Sequence, residues 1–147
     1  MSMPWFRWIC VAMLTAWAAS CGGNRAREPR REKPDLEPIL GSIDAPVAGS
    51  TVRGIMLVGG WAIAESGVRR VAFYVDRQFI LFAKVEGGRP DIEKLYGKDF
   101  PAAGSAGWAA TVDTSPMADG RHELIVQVQT KQGVNQSLGP VAFQVAH

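Results

Sequence analysis

Beyond residue 38, apolar and polar residues alternate in short runs that are separated by turn-forming segments. A period of two is typical of β-strands that place one face in a core and the other toward solvent. The runs predict seven strands, at residues 41–44, 55–64, 68–76, 79–85, 108–112, 122–129 and 141–145. Their spacing, without any long amphipathic helix, predicts an all-β sandwich.

Four aromatic residues bear on whether this sandwich has an exposed contact surface. Trp61 and Trp108 fall at strand positions that we expect to point inward. Phe79 and Phe82 are expected on opposite faces of their strand, because they are three positions apart. One of the two should then be exposed, and an exposed aromatic residue on a sandwich edge is typical of a protein contact.

Glycines and a tight turn add local detail to the strand pattern. Gly59 and Gly60 lie inside a predicted strand, where glycine indicates a bulge or close packing. Residues 76–78 predict the turn between the third and fourth strands, and a type I turn accommodates Arg77.

Residues 86–107 interrupt the pattern with a long segment that holds no strand. Pro90, followed by acidic residues, predicts one short helical turn that ends at Gly97. Ile92 and Leu95 would share a face of this turn and pack onto the sandwich. We interpret the segment as a structured cap, with a binding loop as the alternative. If the domain binds a ligand or partner, the candidate contacts are Arg89, Asp91, Tyr96, Lys98 and, in the third strand, Tyr74.

Residues 1–20 predict a secretory signal segment. A basic start, an apolar run of about twelve residues and a small-residue exit are typical of such signals, and the run is too short to span a membrane. A buried N-terminal helix is the alternative. Removal of the segment would leave Cys21 as the single cysteine of the mature chain.

Residues 18–21 read Ala-Ala-Ser-Cys and resemble the lipobox of bacterial lipoproteins, although Ala18 stands where leucine is preferred. The resemblance implies that Cys21 carries a lipid and anchors the chain to a membrane, which also explains an unpaired cysteine in an oxidising compartment. Gly22 in place of Asp implies the outer rather than the inner membrane. Ordinary cleavage after Ala18 is the alternative.

Residues 21–38 predict a disordered, basic linker between this anchor and the domain at 39–147. Five of the residues in 24–34 are Arg or Lys, and no apolar residue recurs with any period. The linker is a solvated spacer or, alternatively, contacts anionic headgroups beside the anchor. The whole chain carries a net charge of only +2, which does not suggest a nucleic-acid partner.

The domain itself resembles a bacterial immunoglobulin-like domain over residues 41–146. The resemblance lies in GSIDAPVAGSTVRG, in LVGGWAIAESGVRRVAFYVDRQ and in GWAATVDTSPMADGRHELIVQVQTKQG. It implies a single sandwich of about seven strands, with Arg77 where the family has glycine in the third-strand turn. His122 lies at the family's position at the start of a strand, where we expect it to bond the backbone.

No catalytic constellation is recognisable in the sequence. His122 and His147 are the only histidines, no Cys/His spacing suits zinc, and calcium binding by Asp91, Glu93 and Asp99 is a remote alternative. We therefore expect a protein without a cofactor that is not an enzyme. The prediction is a cell-envelope lipoprotein that presents an Ig-like domain for protein–protein contact or a structural role. A carbohydrate-binding or adhesion module that uses the 86–107 loop is the alternative.

Overall fold

The computed structural model describes residues 36–147, so that the predicted signal segment, Cys21 and most of the predicted linker lie outside the described residues. The elements in chain order are β1 (Ile39–Ala45), β2 (Thr51–Val52), β3 (Ile55–Ala64), β4 (Val68–Val75), β5 (Gln78–Ala83), α1 (Pro90–Tyr96), a 3-10 turn (Ala103–Ser105), β6 (Gly107–Asp113), β7 (Gly120–Thr130) and β8 (Asn135–Val145).

The strands form two sheets that pack as a sandwich. One sheet has three strands in the order β1-β3-β6, and the other has five in the order β2-β8-β7-β4-β5. All neighbours are antiparallel except β2 and β8, which are parallel. All seven predicted strands are confirmed in their places. The strand β2 was not predicted, because two residues are too short to show an alternation, and β8 begins at Asn135 rather than at residue 141.

The core consists of the inward side chains of both sheets. Phe73, Leu124 and Phe143 are fully buried, and the ring of Trp108 meets that of Phe73 edge to face at a centroid distance of 5.5 Å. The prediction that Trp108 points inward is confirmed. Gly60 lies beneath this ring, where an added Cβ would come within 2.5 Å of Trp108 Cζ2, so that the predicted close packing is confirmed as well.

The prediction that Trp61 points inward is wrong. Its cross-strand partners are Ser42 and Gly107 on the outer face of the three-stranded sheet, and its side chain is half-buried there. The reason is that β3 is apolar on both faces, so that alternation of apolar and polar residues does not show which face turns inward.

The cap predicted at residues 86–107 covers the same outer face. The helix α1 begins at Pro90 and is capped by Gly97, as predicted, and buried Ile92 packs against Ile63 of β3. The prediction that Leu95 packs beside Ile92 is wrong, because the side chain of Leu95 is 71% exposed. The aromatic rings of Tyr96 and Phe100 supply the remaining contacts of this second cluster, together with Ala103 and Ala106.

The β4–β5 turn differs from the predicted type I. Its central residues Asp76 and Arg77 have φ angles of 49° and 69°, and Val75 pairs directly with Gln78. Positive φ at both central residues is the geometry of a type I′ turn, whose twist matches that of the two flanking strands. This turn places Arg77 in a conformation that favours glycine.

Over residues 36–147, α1 is the only α-helix, and it has neither the length nor the apolar character needed to cross a membrane.

Candidate binding surface

A bulge in the edge strand β5 brings two phenylalanines to one face. Phe73 pairs with Leu81 and Tyr74 with Phe79, so that Ile80 is an extra residue without a partner of its own. The bulge shifts the alternation by one position between Phe79 and Phe82. The prediction that these two residues lie on opposite faces is therefore wrong, since both point outward from the five-stranded sheet.

The two rings form an aromatic cluster with neighbours on β4. The centroids of Phe79 and Phe82 are 4.7 Å apart, and Tyr74 meets Phe79 edge to face at 5.8 Å. The guanidinium of Arg70 lies 4.1 Å from the centroid of Phe82, within the range of a cation–π contact. Its Nε donates a hydrogen bond of 2.9 Å to Oε1 of Gln129 on β7. We refer to Arg70, Tyr74, Phe79 and Phe82 as the aromatic cluster.

Exposure distinguishes this cluster from the core aromatics. Phe79 and Phe82 are 48% and 52% exposed, although a sheet face that meets only solvent is normally polar. Burying the exposed half of either ring against a partner would contribute on the order of 1 kcal/mol. The cluster is therefore the surface of the five-stranded sheet that gains most from being covered.

An open concavity of about 510 Å³ lies beside the cluster, toward the β4–β5 turn, and is lined by Asp76, Arg77, Arg121, Glu123 and Ile125. Both carboxylate oxygens of Asp76 have partners, because Oδ1 accepts the Glu123 N–H at 2.9 Å and Oδ2 contacts His122 Nδ1 at 2.6 Å. Within residues 36–147, Arg77 makes no ion pair. The concavity therefore offers a guanidinium without a carboxylate partner in the described chain.

His122 holds the corner where this turn meets β7. Its Nε2 lies 2.8 Å from the carbonyl oxygen of Ala118, as its predicted backbone contact required, and its ring stacks on Phe143. Both ring nitrogens face an acceptor, which only the doubly protonated ring can satisfy. The Ala118 carbonyl and then the Asp76 carboxylate raise the pKa of His122. Burial raises the pKa of Asp76, but the hydrogen bonds from Glu123 and His122 outweigh it and leave the pKa lowered.

Among the candidate contacts of the 86–107 segment, Arg89 and Asp91 form internal ion pairs, whereas Lys98 faces solvent. Arg89 bridges Asp44 of β1 and Asp91 of α1, with nitrogen–oxygen distances of 2.7 Å to each. The hydrogen bonds that Arg89 donates, first to Asp91 and then to Asp44, raise the pKa of Arg89 despite its burial. The bond that Asp91 accepts from Arg89 lowers the pKa of Asp91 to about 2. Arg89 and Asp91 therefore fix the cap to the sheet, and Lys98 is exposed.

The two candidate tyrosines lie on different elements, Tyr96 at the end of α1 and Tyr74 in β4. Tyr96 stacks on Trp61 at a centroid distance of 5.8 Å with an interplanar angle of 29°, so that one face of its ring is covered within the cap. Tyr74 belongs to the aromatic cluster on the opposite side of the sandwich. The sequence-based set therefore does not form one site, and it omitted Arg70 and the pairing of Phe79 with Phe82.

In the described part of the chain, no group of three or more His, Cys, Asp or Glu residues is arranged to hold a metal ion. The remote calcium hypothesis for Asp91, Glu93 and Asp99 therefore has no geometric support.

Two sheets with this strand order, antiparallel apart from the short β2–β8 pair, define an immunoglobulin-like β-sandwich. The profile of the bacterial Ig domain family matches residues 41–126, which is more than half of the chain, and the protein belongs to this family. Sequence comparison with curated proteins finds no match.

Solved structures support the fold. The endo-beta-1,4-mannanase from Thermotoga petrophila aligns over 78% of this chain with a TM-score of 0.52 and 16% identity, and the aligned part is 21% of the mannanase chain. This chain therefore spans about a fifth of that enzyme. The fibronectin(III)-like modules of Clostridium thermocellum CbhA align over 72% of this chain and 94% of theirs, with a TM-score of 0.51 and 17% identity. At these identities, the similarity shows the fold alone.

Proposed function

We propose that this protein is a non-catalytic lipoprotein of the bacterial cell envelope whose five-stranded sheet docks a protein partner. The observation that carries the proposal is the aromatic cluster. Two half-exposed phenylalanines, a tyrosine and an arginine on one sheet face are the residue types that dominate protein–protein contacts.

The arrangement of the rings favours a protein over a sugar. Phe79 and Phe82 are tilted by 51° and Tyr74 stands at 70° to Phe79, so that the cluster does not present a flat platform for a sugar ring. One face of Phe82 is already covered by Arg70. An irregular apolar surface of this kind suits interdigitating side chains of a partner.

The alternative of carbohydrate binding through the 86–107 loop has less support. Its central residue, Tyr96, is half-buried and stacked on Trp61 within the cap. The loop carboxylate of Asp91 and the guanidinium of Arg89 bond each other rather than facing outward as a pair of ligand groups. We therefore propose a protein partner and retain glycan binding as an outcome of the test.

The proposed anchor is the lipid on Cys21, with the outer membrane as the location. The chain enters the domain beside the β3–β4 turn, where Oε2 of Glu37 accepts a 2.7 Å hydrogen bond from Ser66 Oγ and Oε1 accepts the Ser66 N–H. The β4–β5 turn lies at the other end of β4. An anchored domain would therefore hold its Asp76–Arg77 end away from the point where the tether enters.

A pull-down with matched variants tests the docking surface. The full chain and its Phe82→Glu and Leu95→Glu variants are used to capture proteins from envelope extract. Leu95 is the control because it is exposed, apolar and lies on the cap. We expect one set of proteins to be captured by the wild type and by Leu95→Glu and lost with Phe82→Glu. Equal capture by all three chains would refute the docking surface, and specific binding on a glycan array would favour the alternative.

The anchor is tested separately by labelling cells with palmitate. We expect the wild-type chain to be labelled and to fractionate with membranes, and Cys21→Ala to do neither. A Cys21→Ala chain that still takes up the label would refute lipidation of Cys21.

A further inference from the structure

The three-stranded sheet carries a second exposed apolar surface, on the opposite side of the sandwich from the aromatic cluster. Ile55 and Leu57 on the outer face of β3 are 65% and 61% exposed. Their neighbour Gly59 adds no side chain to this face, and an added Cβ there would meet the nearest atom at 3.5 Å, an ordinary van der Waals contact. We refer to Ile55, Leu57 and Gly59 as the aliphatic patch.

The rim of this patch carries negative charge. Asp113 on β6 is the cross-strand partner of Ile55, and Thr111 is the partner of Leu57. Hydrogen bonds from Ser115 lower the pKa of Asp113, so that the carboxylate is charged at neutral pH. Asp113 makes no ion pair within the described residues. Arg53, two positions before Ile55, makes none there either, and its charge is only the last of the effects that lower the pKa of Asp119, after the hydrogen bond with His147. The Asp113 carboxylate directly beside Ile55 disfavours an anionic membrane surface as the occupant of the patch.

The aromatic cluster has the complementary charge. The guanidinium of Arg70 covers Phe82 and bonds only the neutral Gln129, and Arg77 stands at the adjoining turn without a carboxylate partner within residues 36–147. One molecule therefore carries an apolar surface with arginines on one outer face and an apolar surface with a carboxylate on the other. Surfaces with this relation are complementary to each other and not to themselves.

We propose that the aromatic cluster of one copy docks on the aliphatic patch of a second copy. This inference rests on the proposed function and names the partner of the same surface. Contact between two different faces is heterologous and leaves a free aromatic cluster at one end and a free aliphatic patch at the other. Successive copies would form an open row along the membrane, where anchoring raises their effective concentration.

The test uses two variants that each remove one face. Phe82→Glu places a carboxylate in the aromatic cluster, opposite the acidic rim of the second copy. Leu57→Arg places a guanidinium in the aliphatic patch, opposite Arg70 and Arg77. All chains also carry Cys21→Ala, so that no lipid is attached, and sedimentation equilibrium measures the mass of each chain alone and of the 1:1 mixture. Far-UV circular dichroism and thermal unfolding verify folding, and Phe79→Glu and Ile55→Arg replace a variant that does not fold.

We expect the mass of the wild type to rise with concentration beyond a dimer, because the row is open. Each variant alone should remain a monomer. The 1:1 mixture should form a dimer, because the intact aromatic cluster of Leu57→Arg can dock on the intact aliphatic patch of Phe82→Glu and no further intact pair is left. A wild type that is monomeric up to about 1 mM would overturn the inference. So would Leu57→Arg associating like the wild type, which indicates a symmetric contact through the aromatic cluster. If the wild type is monomeric while Phe82→Glu still loses its partners in the pull-down, the inference fails and the proposed function stands.

Discussion

Two adjacent glycines of β3 allow a sharp test of how the sandwich is packed. An added Cβ at Gly60 would come within 2.5 Å of Trp108 Cζ2 and 2.9 Å of Cη2, and closer still to the Ser42 carbonyl oxygen. Neither neighbour can yield easily, because the Ser42 oxygen belongs to the β1 backbone and the Trp108 ring is held edge to face by Phe73. We therefore predict that Gly60→Ala destabilises the domain.

The expected magnitude follows from two opposing effects. Forcing an extra methyl group into a packed core typically costs about 1–3 kcal/mol, and contact with backbone places this site at the upper end. Removing a glycine from a strand recovers roughly 0.5–1 kcal/mol. The net loss should be about 2 kcal/mol in the free energy of unfolding, or a fall of about 8 °C or more in Tm for a domain of this size.

The matched control is Gly59→Ala, one position away on the outer face. Its Cβ would meet the nearest atom at 3.5 Å, which is ordinary van der Waals contact. Gly59→Ala should leave stability unchanged or raise it by a few tenths of a kcal/mol. Urea unfolding followed by tryptophan fluorescence measures both variants. The packing argument is refuted if Gly60→Ala unfolds at the wild-type midpoint, or if both variants lose the same stability.

Three further predictions address the turn, the histidine and the cap. Arg77→Gly should raise the free energy of unfolding by about 0.5–1 kcal/mol, because glycine adopts the positive φ of 69° without strain; a loss of stability would contradict the turn geometry. The pKa of His122 is raised, chiefly by the Ala118 carbonyl. Protonated His122 therefore stabilises the fold fully below its unfolded pKa of about 6.5, and this stabilisation is lost as the pH rises through the folded pKa. Urea midpoints of the wild type should therefore fall over this pH range, and His122→Gln should show a flatter profile; equal slopes would argue against the contact. Arg89→Ala should lower the free energy of unfolding by up to about 1 kcal/mol and speed proteolysis within 90–106, because the bridge to β1 is lost. The control Lys98→Ala, at an exposed position, should do neither. Equal cleavage of the two variants would show that the bridge does not hold the cap.

Alternation predicted most of the fold, since strands with one buried face carry a direct signature in the sequence. It located seven strands, and the start and stop signals Pro90 and Gly97 located the helix. It failed for Trp61, because β3 is apolar on both faces and its inward side depends on which residues the cap covers. That choice depends on tertiary packing, which a local pattern does not contain.

The binding surface was less predictable for a related reason. Phe79 and Phe82 point to the same face because Ile80 forms a bulge between them. This bulge arises from the pairing of β5 with β4 and not from the residue type at position 80. The sequence showed that an exposed phenylalanine was expected in this strand. It did not show that two would share a face or that Arg70, which is twelve residues before Phe82, would lie over the ring.

The central claim is that the aromatic cluster is a contact surface of the protein in its envelope. A photo-crosslinking amino acid at position 82 of the full chain, activated in living cells, tests it directly, with the same group at position 95 as the control for an exposed apolar site on the cap. The account predicts a discrete protein adduct from position 82 and none from position 95. The absence of any adduct at position 82, or the same adducts from both positions, would contradict it.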